Sequence, residues 1–148
     1  MKVNRIEHIA IAVTNLGQMR AVFENKLGLE LGYTESLERG NTKIAMYPVG
    51  ESHIELLEGT SPEALTSKWI SRNGPGLFHI CLEVDSVEDA IEECRSNGLE
   101  LLRDGPRAGH AGTKVAFIDP AGTGNVLIEL VEAPKPGQSN TETIHEKT

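Results

Sequence analysis

Short runs with apolar residues on alternate positions are followed by runs with helical spacing, and the whole succession occurs twice. The first run carries Ile6, then Ile9, Ile11 and Val13, and its counterpart carries Ile80, Leu82 and Val84. Alternation of this kind predicts a strand with one face packed. Each run is followed by residues suited to start a helix, Thr14 or Asn15 in one case and Asp85 or Ser86 in the other. The segments behind them place apolar residues on one helical stripe: Leu16, Met19, Phe23 and Leu27, then Val87, Ala90, Ile91 and Cys94. Both predicted helices stop at a glycine followed by leucine, Gly28-Leu29 and Gly98-Leu99. Three more strand-like runs close each copy, so the order is strand, helix, strand, strand, strand.

The two copies align residue by residue. At an offset of 71, His8-Ile9-Ala10-Ile11-Ala12-Val13 falls on His79-Ile80-Cys81-Leu82-Glu83-Val84, and Thr42–Met46 falls on Thr113–Phe117. Ile54–Glu58 matches Ile128–Glu132 at an offset of 74, the three extra residues falling in the turn near Asp119-Pro120-Ala121-Gly122. A period this long is too great for a solenoid and points to a duplicated half-domain. The expectation is an α+β domain over 1–133, with module one at about 4–59 and module two at about 76–133. A linking helix is expected over about 61–73, opening at Ser61-Pro62-Glu63 with Leu65, Trp69 and Ile70 as its packed stripe and closing at Asn73-Gly74. Residues 134–148 lack apolar periodicity and read as a flexible tail.

Composition narrows the function. With 148 residues, 39% hydrophobic and 24% charged, the chain has the make-up of a globular domain. A net charge of −8 argues against nonspecific binding to nucleic acid or to an anionic membrane. Two separated cysteines, Cys81 and Cys94, make no disulfide framework, and no stretch has the length of a signal or a membrane span, so a cytoplasmic protein is expected. Phosphate-loop and dinucleotide glycine patterns are missing, as is any arrangement that marks a nucleophilic serine or cysteine.

The duplicated chemistry is histidine and glutamate. If Ile9, Ile11 and Val13 face the helices, His8, Ala10 and Ala12 face the other way, and His79, Cys81 and Glu83 do so in the second copy. Glu55 and Glu129, each flanked by apolar neighbours in a closing strand, share that concave face. An approximate two-fold would bring His8, Glu55, His79 and Glu129 together. Two imidazoles and two carboxylates suit a divalent ion, leaving positions open on an octahedral metal for substrate oxygens. His53 lacks a counterpart and reads as a rim residue; His110, in Gly109-His110-Ala111-Gly112, reads as an exposed loop or lid residue; His145 lies in the tail. Cys81 is expected to line the pocket and Cys94 to pack within its helix.

These features resemble the vicinal oxygen chelate superfamily over residues 4–133 and, within it, the methylmalonyl-CoA epimerase family. The supporting segments are Glu7–Val13, Ile54–Glu58, Phe78–Asp85 and Gly124–Leu130. The resemblance implies a cupped eight-stranded mixed sheet around one divalent ion (cobalt, manganese, nickel, zinc or magnesium), with helices on the outer face and His8, Glu55, His79 and Glu129 as ligands. It implies proton transfer at C2 of a CoA thioester through a metal-stabilised enolate. Approaching from opposite halves of the pseudo-symmetric cup, Glu129 is the candidate for one base and Glu55 the leading candidate for the second, with Lys43 or a water in reserve. It also implies a homodimer. The family often has His-Pro-Lys where this chain has Asp119-Pro120-Ala121, Ala-His-Gly near Gly109–Gly112, and in some members Glu in place of Lys43. Lys68, Arg72, Arg107 and Lys114 are the candidates for meeting the CoA phosphates. A glyoxalase I-type lyase and a non-catalytic small-molecule binder are the alternative readings; the longer Asp119–Asn125 turn favours the epimerase.

Overall fold

A computed structural model describes residues 1–38 and 40–134, together with the backbone of Thr143–Glu146. Module one runs β1 (Val3–Ala12), α1 (Leu16–Ala21), β2 (Tyr33–Leu37), β3 (Thr42–Val49) and β4 (Ser52–Gly59). The linking helix α2 is Leu65–Asn73. Module two runs β5 (Gly76–Val84), α3 (Val87–Ser96), β6 (Arg107–Ala108), β7 (Lys114–Ile118) and β8 (Ile128–Glu132). All belong to one mixed sheet in the order β6-β7-β8-β5-β1-β4-β3-β2, extended at the β2 edge by β9 (Thr143–Glu146). The two modules meet where β1 pairs antiparallel with β5, and from that seam outward each repeats the same ladder: a parallel pair, β1–β4 or β5–β8, then antiparallel neighbours. The expected α+β duplication with a cupped mixed sheet is therefore present. No helix among the described residues is long and apolar enough to cross a membrane.

The helices α1 and α3 are each started twice over. Asn15 Oδ1 accepts from the Gln18 amide and Ser86 Oγ from the Asp89 amide, the side-chain caps that the sequence suggests. A second device comes from the far end of each module. Glu58 on β4 accepts the Leu16 amide at 2.7 Å, and Glu132 on β8 accepts the Val87 amide at 2.9 Å. A carboxylate placed there satisfies an amide that has no partner inside the helix and complements the positive end of its dipole. The repeat thus keeps two glutamates in each closing strand, one for each face of the sheet.

α3 packs Val87, Ala90, Ile91 and Cys94 against Ala116, Ile118 and Leu130, each large aliphatic side chain contributing about 1.5–3 kcal/mol on burial. α1 packs Leu16 with Met19 and Phe23 against Ala45, Tyr47 and Leu56. Its expected fourth contact is not made. After Ala21 the chain widens into a π turn, Val22–Lys26, which breaks the 3.6-residue period and leaves Leu27 62% exposed. The linking helix is also shorter than expected. It starts at Leu65, behind Ala64 in extended conformation, and Ser61-Pro62 lies in the turn before it. Gly59 permits this approach, since a Cβ there would lie 2.0 Å from Ser67 Oγ.

Of three register shifts along the seam, two change the expected faces at the centre of the sheet. Opposite Cys81 and Leu82, β1 places His8 and Ile6, so Glu7 is an extra residue; opposite Ala10 and Ile11, β5 places His79 and Leu77, so Phe78 is extra. Glu7 with His8, and Phe78 with His79, are consecutive buried pairs. Ile6, Ile9, Leu77 and Ile80 are exposed rather than covered by helices. Within the stretch read as a tail, Thr143–Glu146 pairs antiparallel with β2, using the backbone groups that an edge strand leaves open; 135–142, 147 and 148 lie outside the described residues.

Candidate metal centre

β1, β4, β5 and β8 are the four central strands, and each brings one side chain to the floor of the cup. His8 Nε2 and His79 Nε2 face each other at 3.1 Å, and both lie 3.0 Å from Glu129 Oε1. Glu55 Oε1 lies 3.3 Å from His8 Nε2 and 3.8 Å from His79 Nε2. All four side chains are buried. The structure therefore brings together the whole set expected from the repeat.

The spacing suits a metal ion. Bonds of about 2.0–2.2 Å place neighbouring ligand atoms about 3 Å apart on an octahedron. Among the described residues, Glu129 Oε1 is buried without a directed hydrogen bond although two ring nitrogens approach it, so acceptor atoms converge here without enough donors. An isolated buried carboxylate is costly, and a cation among these atoms relieves that cost. A second grouping, Glu7, His8 and Cys81, is also close-set. It fits less well, because Glu7 already engages His8 Nδ1 at 2.9 Å.

Burial by itself would raise the Glu129 carboxyl; the charges of His79 and His8 overcome this and hold it well below the usual carboxylate range. Burial opposes the charged form of His8, yet Glu55, Glu129 and Glu7 raise its value well above that of free imidazole. Cys81 is pushed well up by burial and by Glu129. It packs with Val115 and Val131 and does not open onto the cavity, contrary to expectation.

A cavity of about 140 Å³ opens above Glu55, His79 and Glu129, walled by Leu57, Phe78, Val115 and Phe117. It has room for a short acyl group and not for a nucleotide. Glu38, Glu63 and Arg107 also line it. Of the four basic residues proposed for phosphates, only Arg107 lines this space; Lys114 pairs with Glu88 of α3 at 3.1 Å, on the helix side. Lys43 lies 3.7 Å from Glu58, the glutamate that caps α1, and so faces the helices rather than the cup.

His110 departs most from expectation. It is buried in a short 3₁₀ turn, with Nε2 2.9 Å from Glu7 Oε2 and Nδ1 2.8 Å from the Tyr33 hydroxyl. Glu35, buried on β2, accepts the amide of Ala111, whose φ is 51°. His53 stays on the rim, 3.4 Å from the Glu7 carbonyl. Glu7, Tyr33 and Glu35 had no distinguishing signal in a period-two reading. One signal was available for Glu7: the apolar positions Ile6–Ile9 and Leu77–Ile80 are spaced by three, as a bulge requires.

Known proteins resemble this chain in sequence and fold. Residues 7–117 match the model of the glyoxalase/bleomycin resistance protein/dioxygenase superfamily. An uncharacterised protein of Bacillus subtilis (strain 168) is 33% identical over 137 residues, covering 93% of this chain and 97% of that one. The mitochondrial methylmalonyl-CoA epimerase of Bos taurus is 29% identical over 130 residues, 87% of this chain and 74% of the other. Among solved structures, a variant of Streptomyces coelicolor methylmalonyl-CoA epimerase in complex with 2-nitronate-propionyl-CoA superimposes with a TM-score of 0.85 at 31% identity, covering 89% of this chain and 96% of that one. With its duplicated modules and cupped sheet, the chain belongs to the glyoxalase/bleomycin resistance protein/dioxygenase superfamily, the vicinal oxygen chelate fold, among whose members its relatives include methylmalonyl-CoA epimerases.

Proposed function

We propose that this chain is a metal-dependent epimerase that interconverts the two C2 epimers of methylmalonyl-CoA. The observation that carries the reading is the convergence of His8, His79, Glu55 and Glu129 under a cavity sized for an acyl group. Likeness to epimerases over most of the chain supports the substrate class.

His8, Glu55, His79 and Glu129 would hold one divalent ion. When bound, such an ion supplies Lewis-acid stabilisation of the negative charge that develops on a thioester oxygen. The chain's own residues handle the proton. The C2 hydrogen of a malonyl thioester is acidic because two carbonyl groups flank it, and inversion needs an acceptor on one face and a donor on the other. Glu129 and Glu55 come from opposite modules and meet at the floor from opposite sides of the seam. Glu129, ionised in this pocket, is the proposed acceptor on one face. Glu55 is the partner on the second face, a role for which the outward-facing Lys43 is badly placed. Leu57, Phe78 and Phe117 exclude water from the reacting carbon. Arg107, on the cavity wall, is the cation placed to meet an anionic group of the thioester.

The exposed Ile6, Ile9, Leu77 and Ile80 on the two central strands support a homodimer, here proposed as cytoplasmic. Parallel turnover assays with methylmalonyl-CoA and with the hemithioacetal of glutathione and methylglyoxal decide the substrate. Epimerisation of the thioester without lyase activity is expected; lyase activity alone would replace this reading with the glyoxalase one.

A further inference from the structure

The two modules treat their histidines differently. In module one the bulge residue is Glu7, and in module two the matching residue is Phe78. Glu7 Oε2 lies 2.9 Å from His8 Nδ1. His79 Nδ1, the equivalent atom, is buried and has no hydrogen-bond partner among the described residues. An ionised carboxylate only accepts, so the proton positions follow along the chain of contacts. His8 donates from Nδ1 to Glu7, which leaves Nε2 aimed at the cup floor. His110 donates from Nε2 to the same oxygen at 2.9 Å, and its free Nδ1 accepts the Tyr33 hydroxyl at 2.8 Å. Both His110 nitrogens are thereby engaged, and its ring also borders the cavity. Its loop is fixed from outside as well: Glu35 holds the Ala111 amide, and Gly109 permits close packing where a Cβ would lie 2.5 Å from Val115 Cγ1.

We propose that Glu7 is a positioning residue for the metal centre, locking His8 as the Nδ1–H tautomer, and that His110, braced by Tyr33, holds the Glu7 carboxylate in that pose. This rests on the metal-binding reading above and adds an asymmetry to it. The module-one histidine is oriented before any ion arrives, whereas the ring of His79 is held by packing between Phe78 and Phe117, with centroids at 4.7 and 5.2 Å. Outer partners of this kind are worth about 10–100-fold in metal affinity.

The test uses the full chain with Mn²⁺ or Zn²⁺ alone, and affinity is read by competition with a chromophoric chelator. Glu7→Gln is expected to weaken binding about 10–100-fold and His110→Ala by a smaller factor, while Glu7→Asp recovers part of the loss. In the metal-free protein, at a pH high enough to leave His8 neutral, ¹⁵N correlation spectra should show His8 protonated at Nδ1 in the parent and a mixture of tautomers in Glu7→Gln. Circular dichroism separates these effects from misfolding; if Glu7→Gln does not fold, the His110→Ala affinity and spectrum decide. Parent-like affinity with an unchanged His8 tautomer overturns the proposal. A parent protein that binds metal tightly but does not epimerise the thioester overturns the substrate reading and leaves this one standing. A parent that binds no divalent ion overturns both.

Discussion

Replacing Glu132 by alanine tests whether the duplicated closing-strand glutamates hold the helices as described. The Glu132 side chain is buried and accepts the Val87 amide at 2.9 Å, at the first turn of α3. Truncation removes a hydrogen bond to a charged acceptor, about 1.5–3 kcal/mol, and leaves a buried amide that water reaches poorly. Loss of the charge–dipole contact removes about 0.3–1 kcal/mol more. The Ser86 cap on Asp89 remains and limits fraying. The expected cost is therefore about 2–4 kcal/mol. For a domain of about 150 residues, where 1 kcal/mol moves the midpoint by about 2–4 °C, Tm should fall by about 4–16 °C. Glu58→Ala should cost less, because the Glu58–Leu16 contact is more open to solvent. Differential scanning calorimetry with urea titration measures both. Metal content should not change in either variant, since these carboxylates cap helices on the outer side of the sheet. A Tm within about 1 °C of the parent for Glu132→Ala, or loss of metal without loss of stability, would refute the reasoning.

Glu129→Gln keeps an oxygen for the ion but no longer accepts a proton, so metal should still bind, more weakly, while turnover falls at least about 10²-fold; unchanged kcat would remove Glu129 from the proton path. His79→Ala should lose metal measured by elemental analysis, and retention of a full equivalent would displace His79 from the ligand set. The metal-free chain should be most stable between about pH 4.5 and 6.5. Glu129 is depressed, against the pull of burial, so its contribution is present above about 4.5 and is lost as pH falls through its folded value. His8 is raised, again against burial, so its contribution is complete below about 6.5 and is lost as pH rises through its folded value. Saturating Mn²⁺ should move the optimum upward, because ligation requires neutral imidazole; thermal denaturation across pH with and without the ion reads this directly.

Duplication made the centre legible. A lone strand histidine carries little information, but His8 with His79 and Glu55 with Glu129 recur in register, and the parallel β1–β4 and β5–β8 pairs turn that register into contact. The helix caps were legible because capping is local: Asn15 and Ser86 lie three residues from the amides they accept. What escaped the sequence pattern either broke the period or acted over distance. Residues inserted at the seam turned Glu7 inward beside His8 and left Ile9 and Ile80 exposed. The π turn after Ala21 rotated Leu27 off the packed stripe. His110 is buried by Glu7 and Tyr33, 103 and 77 residues away, partners that no local pattern signals.

The most direct measurement starts from one C2 epimer of methylmalonyl-CoA in D₂O with the Mn²⁺-loaded chain, following epimer ratio and deuterium at C2 at low conversion. If Glu129 and Glu55 serve opposite faces, the other epimer should form with solvent deuterium at the inverted carbon, recovered substrate should carry little label, and a chelator should stop the reaction. Heavily labelled substrate at low conversion would contradict the two-face assignment, and no conversion of either epimer by metal-saturated protein would contradict the proposed function itself.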